Sequence, residues 1–141
     1  MLLYHASASY YSMIARLALH EAGVPFDGRL MDIHRRKDQL APWYVAINPH
    51  MTVPTLVDGE RVLRDSRDIL AFAAVRAGDR WLPGDDAIAA VVAAQYALPI
   101  ERLTFGKAMT RIPPLRFVFP HMLRRIVRDL EAELATAADP D

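Results

Sequence analysis

The chain has 141 residues, with 17 Lys+Arg against 17 Asp+Glu, a formal net charge of +0, and 52% hydrophobic residues. That length holds one domain, or one small domain plus part of another, with enough apolar content for a core. The balanced charge gives no general pull toward nucleic acid or membrane, and the absence of cysteine excludes disulfides, cysteine-bound metal and thiol redox chemistry by the chain itself.

Leu2-Leu3-Tyr4 is a short apolar strand candidate. The opening lacks the charged n-region of a signal peptide, and no stretch approaches the roughly 20 apolar residues that span a bilayer, so a cytoplasmic protein is the expectation. A hydroxyl-rich run follows, His5-Ala6-Ser7-Ala8-Ser9-Tyr10-Tyr11-Ser12. Helical periodicity then puts Ile14, Leu17 and Ala18 on one face, and Gly23 with Pro25 ends the helix. Ser9 or Ser12 caps it. A hydroxyl there stabilises a developing anion, although plain capping accounts for either serine.

Residues 26–33 alternate weakly and form a second strand, so the opening suggests a parallel βαβ unit. The basic cluster His34-Arg35-Arg36-Lys37 is ordinary solvated surface ahead of a short helix at 39–46, and Asn48-Pro49 breaks that helix. Residues 53–57 read as a buried strand, Asp58-Gly59 as a hairpin turn, and Val62-Leu63 as the return strand. Asp65-Ser66 precedes the periodic run Ile69, Leu70, Ala73, with Ser66 as N-cap. Pro54 has no amide hydrogen. At a strand start it suits a cis bond, which leaves the neighbouring backbone free to pair with a peptide-like ligand. A helix N-terminus at Asp65-Ser66 suits a carboxylate, and Asp65 an amine. A hairpin with an ordinary cap is the competing reading.

Beyond residue 80, Ile88, Val91, Val92 and Tyr96 form a helical face that stops at Pro99, and Ile112-Pro113-Pro114-Leu115 is a loop. Pro120 opens another helix, with Leu123, Ile126 or Val127, Leu130 and Leu134 inward. Arg102, Lys107, Arg111, Arg116, Arg124, Arg125 and Arg128 occur without an acid between them; without aromatic interleaving of the kind single-strand binders use, they read as a solvated face, not a nucleic-acid surface. The five histidines have no ligand spacing, so no metal is expected.

The order β-α-β-α-β-β-α, Leu3-Tyr4-His5 with Ser9-Tyr10-Tyr11-Ser12 and Arg16-Leu17-Ala18-Leu19, then Ile47-Asn48-Pro49, Thr52-Val53-Pro54-Thr55-Leu56 and Asp65-Ser66 with Ile69-Leu70 together resemble the glutathione transferase family. The resemblance covers about residues 1–80. It implies an α/β thioredoxin-like N-terminal domain at 1–80 and, after a linker at Trp81-Leu82-Pro83-Gly84-Asp85, an all-α C-terminal domain at 81–141 that is short or truncated for the family. It implies glutathione as co-substrate, with Val53 before Pro54 pairing with the cysteinyl unit. Asp65 would face the ammonium and Ser66 the carboxylate of the γ-glutamyl end, while Thr52 and Gln39 would contact the peptide backbone or glycyl end. Ser9 matches the thiol-activating position, with Ser12, Tyr4 and Tyr10 as alternatives. Asp65 stands where glutamate is more usual, and residues 7–10 lack the proline common after the activating residue. Tyr96, Ile100, Phe105 and Met109 would line an electrophile site, or simply pack helices. A homodimer is implied as well. The expected activity is addition of the glutathione thiolate to a small, hydrophobic electrophile. The rivals are a non-catalytic binding or interaction module, and a glutathione-dependent isomerase or dehalogenase using the same site.

Overall fold

The computed structural model describes residues 1–81 and 86–100, and beyond these residues 103, 118, 120, 121, 124, 125, 127 and 128. The chain divides into two compact units, Met1–Pro83 and Gly84–Asp141. In the first unit the strands are β1 (Leu2–His5), β2 (Asp27–Leu30), β3 (Thr55–Asp58) and β4 (Arg61–Leu63). The helices are α1 (Tyr10–Glu21), α2 (Pro42–Val45) and α3 (Ser66–Ala77). The chain order is the expected β-α-β-α-β-β-α. The sheet order is β2-β1-β3-β4. β1 and β2 pair in parallel, Leu3 opposite Gly28, and β3 runs antiparallel to both β1 and β4.

Successive strand residues face opposite sides of a sheet, and β1 builds both layers that way. Leu3 joins Leu56, Leu19, Ile69 and Phe72 in the core shared with α1 and α3. Tyr4, its neighbour, joins Met31 and Tyr44 on the α2 side. Each large apolar side chain fully buried here contributes about 1.5–3 kcal/mol.

The inward stripe of α1 differs from the expected one. Ser12, Ala15, Ala18 and Leu19 are buried, Ile14 is half-buried, and Leu17 is 62% exposed. The reason is the neighbouring helix. α1 and α3 share one cluster through Ala15, Ala18, Ala22, Ala73 and Ala77, and small side chains let two helices approach closely. Periodicity picks out the larger residues, whereas this packing selects the alanines.

Gly23 ends α1 as expected. Its φ is +65°, its N–H donates to the His20 carbonyl at 2.9 Å, and the Val24 N–H donates to Leu19 at 2.9 Å. That pair of bonds is a Schellman closure, which needs a left-handed residue after the last helical turn.

Four boundaries move. The third strand, read at 53–57, is found at Thr55–Asp58 with Val53 and Pro54 ahead of it. The second strand shrinks to an exposed edge at Asp27–Leu30, although the following Met31 is buried and donates its N–H to His5 at 2.8 Å. The short helix at 39–46 splits into a 3-10 turn, Asp38–Leu40, and α2. Ala41 between them is extended, because Pro42 disfavours the helical region for its predecessor while fitting the first helical position itself. The hairpin loop is Gly59-Glu60, one residue later than read, with Asp58 paired to Arg61 and Gly59 at φ +59°.

In the second unit, α4 (Asp86–Ala97) ends two residues before Pro99. Of its expected face, Ile88 and Val91 are exposed and Val92 and Tyr96 half-buried. Val118, Pro120, His121, Arg124, Arg125, Val127 and Arg128 are helical, and Val127 is exposed. Residues 82–85 of the linker, the 112–115 loop, Arg102, Lys107, Arg111, Arg116, Leu123, Ile126, Leu130 and Leu134 lie outside the described residues. Among the described residues, no helix is long and apolar enough to cross a membrane.

Gly23→Ala should lower stability by about 1–2 kcal/mol, because a Cβ is disfavoured at this backbone conformation. Urea unfolding would read it as a lower midpoint at unchanged slope. An unchanged midpoint would contradict the closure described for α1.

Candidate functional site

Pairing register brings several segments to one end of the sheet. Tyr4 lies opposite Thr55, and Leu56 opposite Leu63. The loop after β1, the Val53-Pro54 approach to β3 and the Asp65-Ser66 exit from β4 therefore sit side by side. β2, parallel to β1, ends there too, with His5 opposite Leu30.

At the β1–α1 junction, Ser9 is extended (φ −83°, ψ 120°) and caps α1, its Oγ accepting the Ser12 N–H at 3.3 Å. Ser9 is half-buried, between Ala8, which is exposed, and Tyr10, which is half-buried. Ser12 is fully buried, and its Oγ accepts the Ala6 N–H at 3.2 Å. Tyr4 is buried between Trp43 and Tyr44, with the Arg29 guanidinium 5.7 Å from its ring centre. Tyr10 contacts Tyr11 edge-on at 5.5 Å.

The His5 ring lies over Gly28, where any Cβ would sit 2.9 Å from its Nε2. Its Nδ1, like the Nε of Arg16, is buried without a hydrogen-bond partner among the described residues. Burial, and after it the positive charge of Arg16, holds the His5 pKa below its ordinary 6.5.

The approach to β3 is held from beneath by Tyr44, Asn48 and Thr55, all without exposure. The Tyr44 hydroxyl lies 2.6 Å from the Thr52 carbonyl and 2.8 Å from Thr55 Oγ1. Asn48 Nδ2 donates to the Thr52 carbonyl at 3.0 Å and to Thr55 Oγ1 at 2.8 Å. Its Oδ1 accepts the His50 N–H at 3.0 Å. Burial pushes the Tyr44 pKa above its ordinary 10, so the phenol keeps its proton. The Val53–Pro54 bond is cis, as expected. Among the described residues, neither the N–H nor the C=O of Val53 has a hydrogen-bond partner. Arg64 Nε donates to the Ile47 carbonyl at 2.9 Å, tying the exit of β4 to the end of α2.

At α3 the cap differs from the sequence reading. Asp65, extended at φ −125° and ψ 145°, is the N-cap, and its Oδ1 accepts the Arg67 N–H at 2.7 Å. Ser66 is the first helical residue and is buried. Both residue types cap well. Asp65 takes the place because the extended conformation from β4 runs through it.

A cleft of about 360 Å³ opens at the ends of β1 and β2, lined by residues of the 6–8 loop and by Met31, Asp32, His34 and Arg36. Asp32 Oδ1 accepts the N–H groups of His34 and Arg35, and these bonds, Arg35's foremost, hold its carboxyl below the ordinary range. Arg36 pairs with Asp38 at 2.9 Å. Gln39 donates to the Ile33 carbonyl at 3.2 Å, while its Oε1 is buried without a partner among the described residues. Tyr96 and Ile100 are half-buried, and Phe105 and Met109 lie outside the described residues. Sequence reasoning missed the Tyr44–Asn48–Thr55 group. Its one signal was Asn48 before Pro49, which reads as a helix breaker.

A four-stranded mixed sheet with α1 and α3 on one face, α2 on the other and a cis proline before the third strand defines a thioredoxin-like domain. The sequence profile of the glutathione S-transferase N-terminal domain matches residues 3–81, and the chain belongs to the glutathione S-transferase family. It is 40% identical over 83 residues to the tetrachloro-p-hydroquinone reductive dehalogenase of Sphingobium chlorophenolicum, covering 59% of this chain and 33% of that protein. It is 30% identical over 116 residues to glutathione S-transferase D6 of Drosophila melanogaster, covering 81% and 54% respectively. The chain thus spans about a third of the first relative and about half of the second. Among solved structures, a glutathione transferase homolog from Sulfitobacter with bound glutathione aligns with a TM-score of 0.60 and 26% identity, over 73% of this chain and 48% of that one.

The two serines at the α1 start should separate in stability. Ser12→Ala strands the buried Ala6 N–H and should cost about 1–3 kcal/mol, whereas Ser9→Ala loses a cap worth about 1 kcal/mol. Chemical unfolding that ranks them the other way would contradict the assignment. For His5, the unfolded chain binds the proton at higher pH than the folded chain, so stability falls as pH drops through 6.5 toward the lowered folded value. Thermal melts at about pH 7.5 and 5.5 should show a steeper fall for the parent than for His5→Gln. Equal falls would contradict the burial of this ring.

Proposed function

We propose that this chain binds glutathione at the shared end of β1, β3 and β4, and that the full protein transfers its thiolate to a small, hydrophobic electrophile. The observation that carries the reading is the Val53 backbone, whose N–H and C=O lack partners among the described residues, one step from a helix start capped by Asp65. An extended peptide finds there unpaired backbone ahead of β3 for its cysteinyl unit and complementary charge for its γ-glutamyl end. Asp65 uses Oδ1 on the Arg67 amide, and its other oxygen faces the ammonium. The carboxylate takes Ser66 and the positive end of α3. Thr52 and Gln39 contact the peptide backbone or the glycyl end.

Ser9 is the residue we assign to the thiol. Its Oγ already accepts the Ser12 N–H, which leaves the hydroxyl proton to donate to sulfur. A free thiol has a pKa of about 8.5, and a hydrogen bond to the thiolate beside a helix N-terminus lowers it. With no cysteine in the 141 residues, the reacting sulfur is that of glutathione. In this reading residues 1–80 are the glutathione-binding domain and 81–141 belong to a helical domain. Tyr96, Ile100, Phe105 and Met109 contribute to the electrophile site. The protein works in the cytoplasm without a metal, as a homodimer formed on the β4–α3 face. There Phe72 lies under the guanidinium groups of Arg61 and Arg76, at 5.4 and 4.9 Å, beside the exposed Val75.

Calorimetric titration of the chain with glutathione, beside Asp65→Ala and Ser66→Ala, tests the reading. Each variant should lose about 1.5–3 kcal/mol, more than tenfold in affinity. Absence of binding by the unmodified chain would contradict it. Binding with an unshifted glutathione thiol pKa would instead indicate a binding module without turnover.

A further inference from the structure

We infer that Tyr44, Asn48 and Thr55 are positioning residues that orient the Val53 amide for a peptide ligand, an inference that rests on the glutathione-site reading above. The protons of this group can be placed in one way only. The Thr52 carbonyl only accepts, so the single Tyr44 hydroxyl proton is spent on it at 2.6 Å. The 2.8 Å contact between Tyr44 and Thr55 must then be donated by Thr55. Thr55 Oγ1 in turn accepts from Asn48 Nδ2 at 2.8 Å, and the same amide group gives a second hydrogen to Thr52 at 3.0 Å. The chain runs one way: Asn48 to Thr55, Thr55 to Tyr44, Tyr44 to Thr52. Two donors converge on one carbonyl oxygen, and every donor is on a side chain with no exposure.

That carbonyl belongs to the same peptide plane as the Val53 N–H. Val53–Pro54 is the cis bond here and Thr52–Val53 is trans. In a trans peptide the C=O and N–H point in opposite directions. Holding the Thr52 oxygen inward therefore turns the Val53 hydrogen away from the buried group, toward the side where it has no partner among the described residues. An amide fixed in advance spares a ligand the cost of ordering it. Backbone pairing with a peptide also needs that direction to be correct.

The test uses hydroxyl-specific variants and glutathione itself. Tyr44→Phe and Thr55→Val each remove one link with little change in shape, and each should weaken glutathione binding about two- to tenfold. Thr55→Ser restores the hydroxyl and should bind like the parent, although it leaves a small void that a purely structural role would register as a loss. Thermal melts run alongside confirm that each variant is folded at the titration temperature. If Tyr44→Phe does not fold, the Thr55 pair decides alone. Parent-like binding by Tyr44→Phe and Thr55→Val, or equal weakening by Thr55→Ser and Thr55→Val, would overturn the positioning role and leave the glutathione site standing. No binding by the parent chain would overturn the site and this inference together.

Discussion

The carbonyl of Thr52 is the point from which the candidate site is built. Two side-chain donors reach it from below, Tyr44 at 2.6 Å and Asn48 at 3.0 Å. A buried polar group left without a partner costs roughly 1–3 kcal/mol, so a group of this kind is stable only when all its members are satisfied together. Here Thr55 closes the set by linking both donors. The segment that approaches β3 has little regular structure of its own, since Met51 and Thr52 are exposed and Val53 precedes the cis bond. Its shape comes from these bonds and from β3, into which Thr55 is paired.

Around that point the sheet gathers three loops by register alone. β1 is central, paired to β2 in parallel and to β3 antiparallel, so the exit of β1 meets the entrance of β3. The short hairpin returns the chain beside it and starts α3 at the same end. α3 is kept against the sheet by Ile69, Phe72 and Ala73, and against α1 by facing alanines. Core packing on one side of the sheet thus fixes where a helix N-terminus opens at its end, and that terminus carries the charge complementarity of the site.

Much of this was legible in the sequence. Gly23, Asp58-Gly59, the apolar runs and Pro54 are local signals, and each acts within a few residues. The order of elements followed from them, and so did the resemblance that led to the family. What was not legible depended on neighbours far along the chain. Leu17 was the larger candidate for the core, but the face of α1 that packs with α3 carries Ala15, Ala18 and Ala22 beside Leu19. Asp65 and Ser66 are equally good caps by type, and the path of the chain out of β4 chose Asp65. Tyr44, Asn48 and Thr55 are separated by seven and eleven residues at their longest bonds, so nothing in local pattern marks them as one group.

A backbone amide map of the chain titrated with glutathione, by two-dimensional NMR, reports on the Val53 amide itself. The largest shifts should fall on Ser9, Val53, Ser66 and Arg67, with the Val53 amide moving downfield as it gains a hydrogen bond. Shifts confined to other surfaces, or a Val53 amide that does not respond while glutathione binds, would contradict binding at this amide.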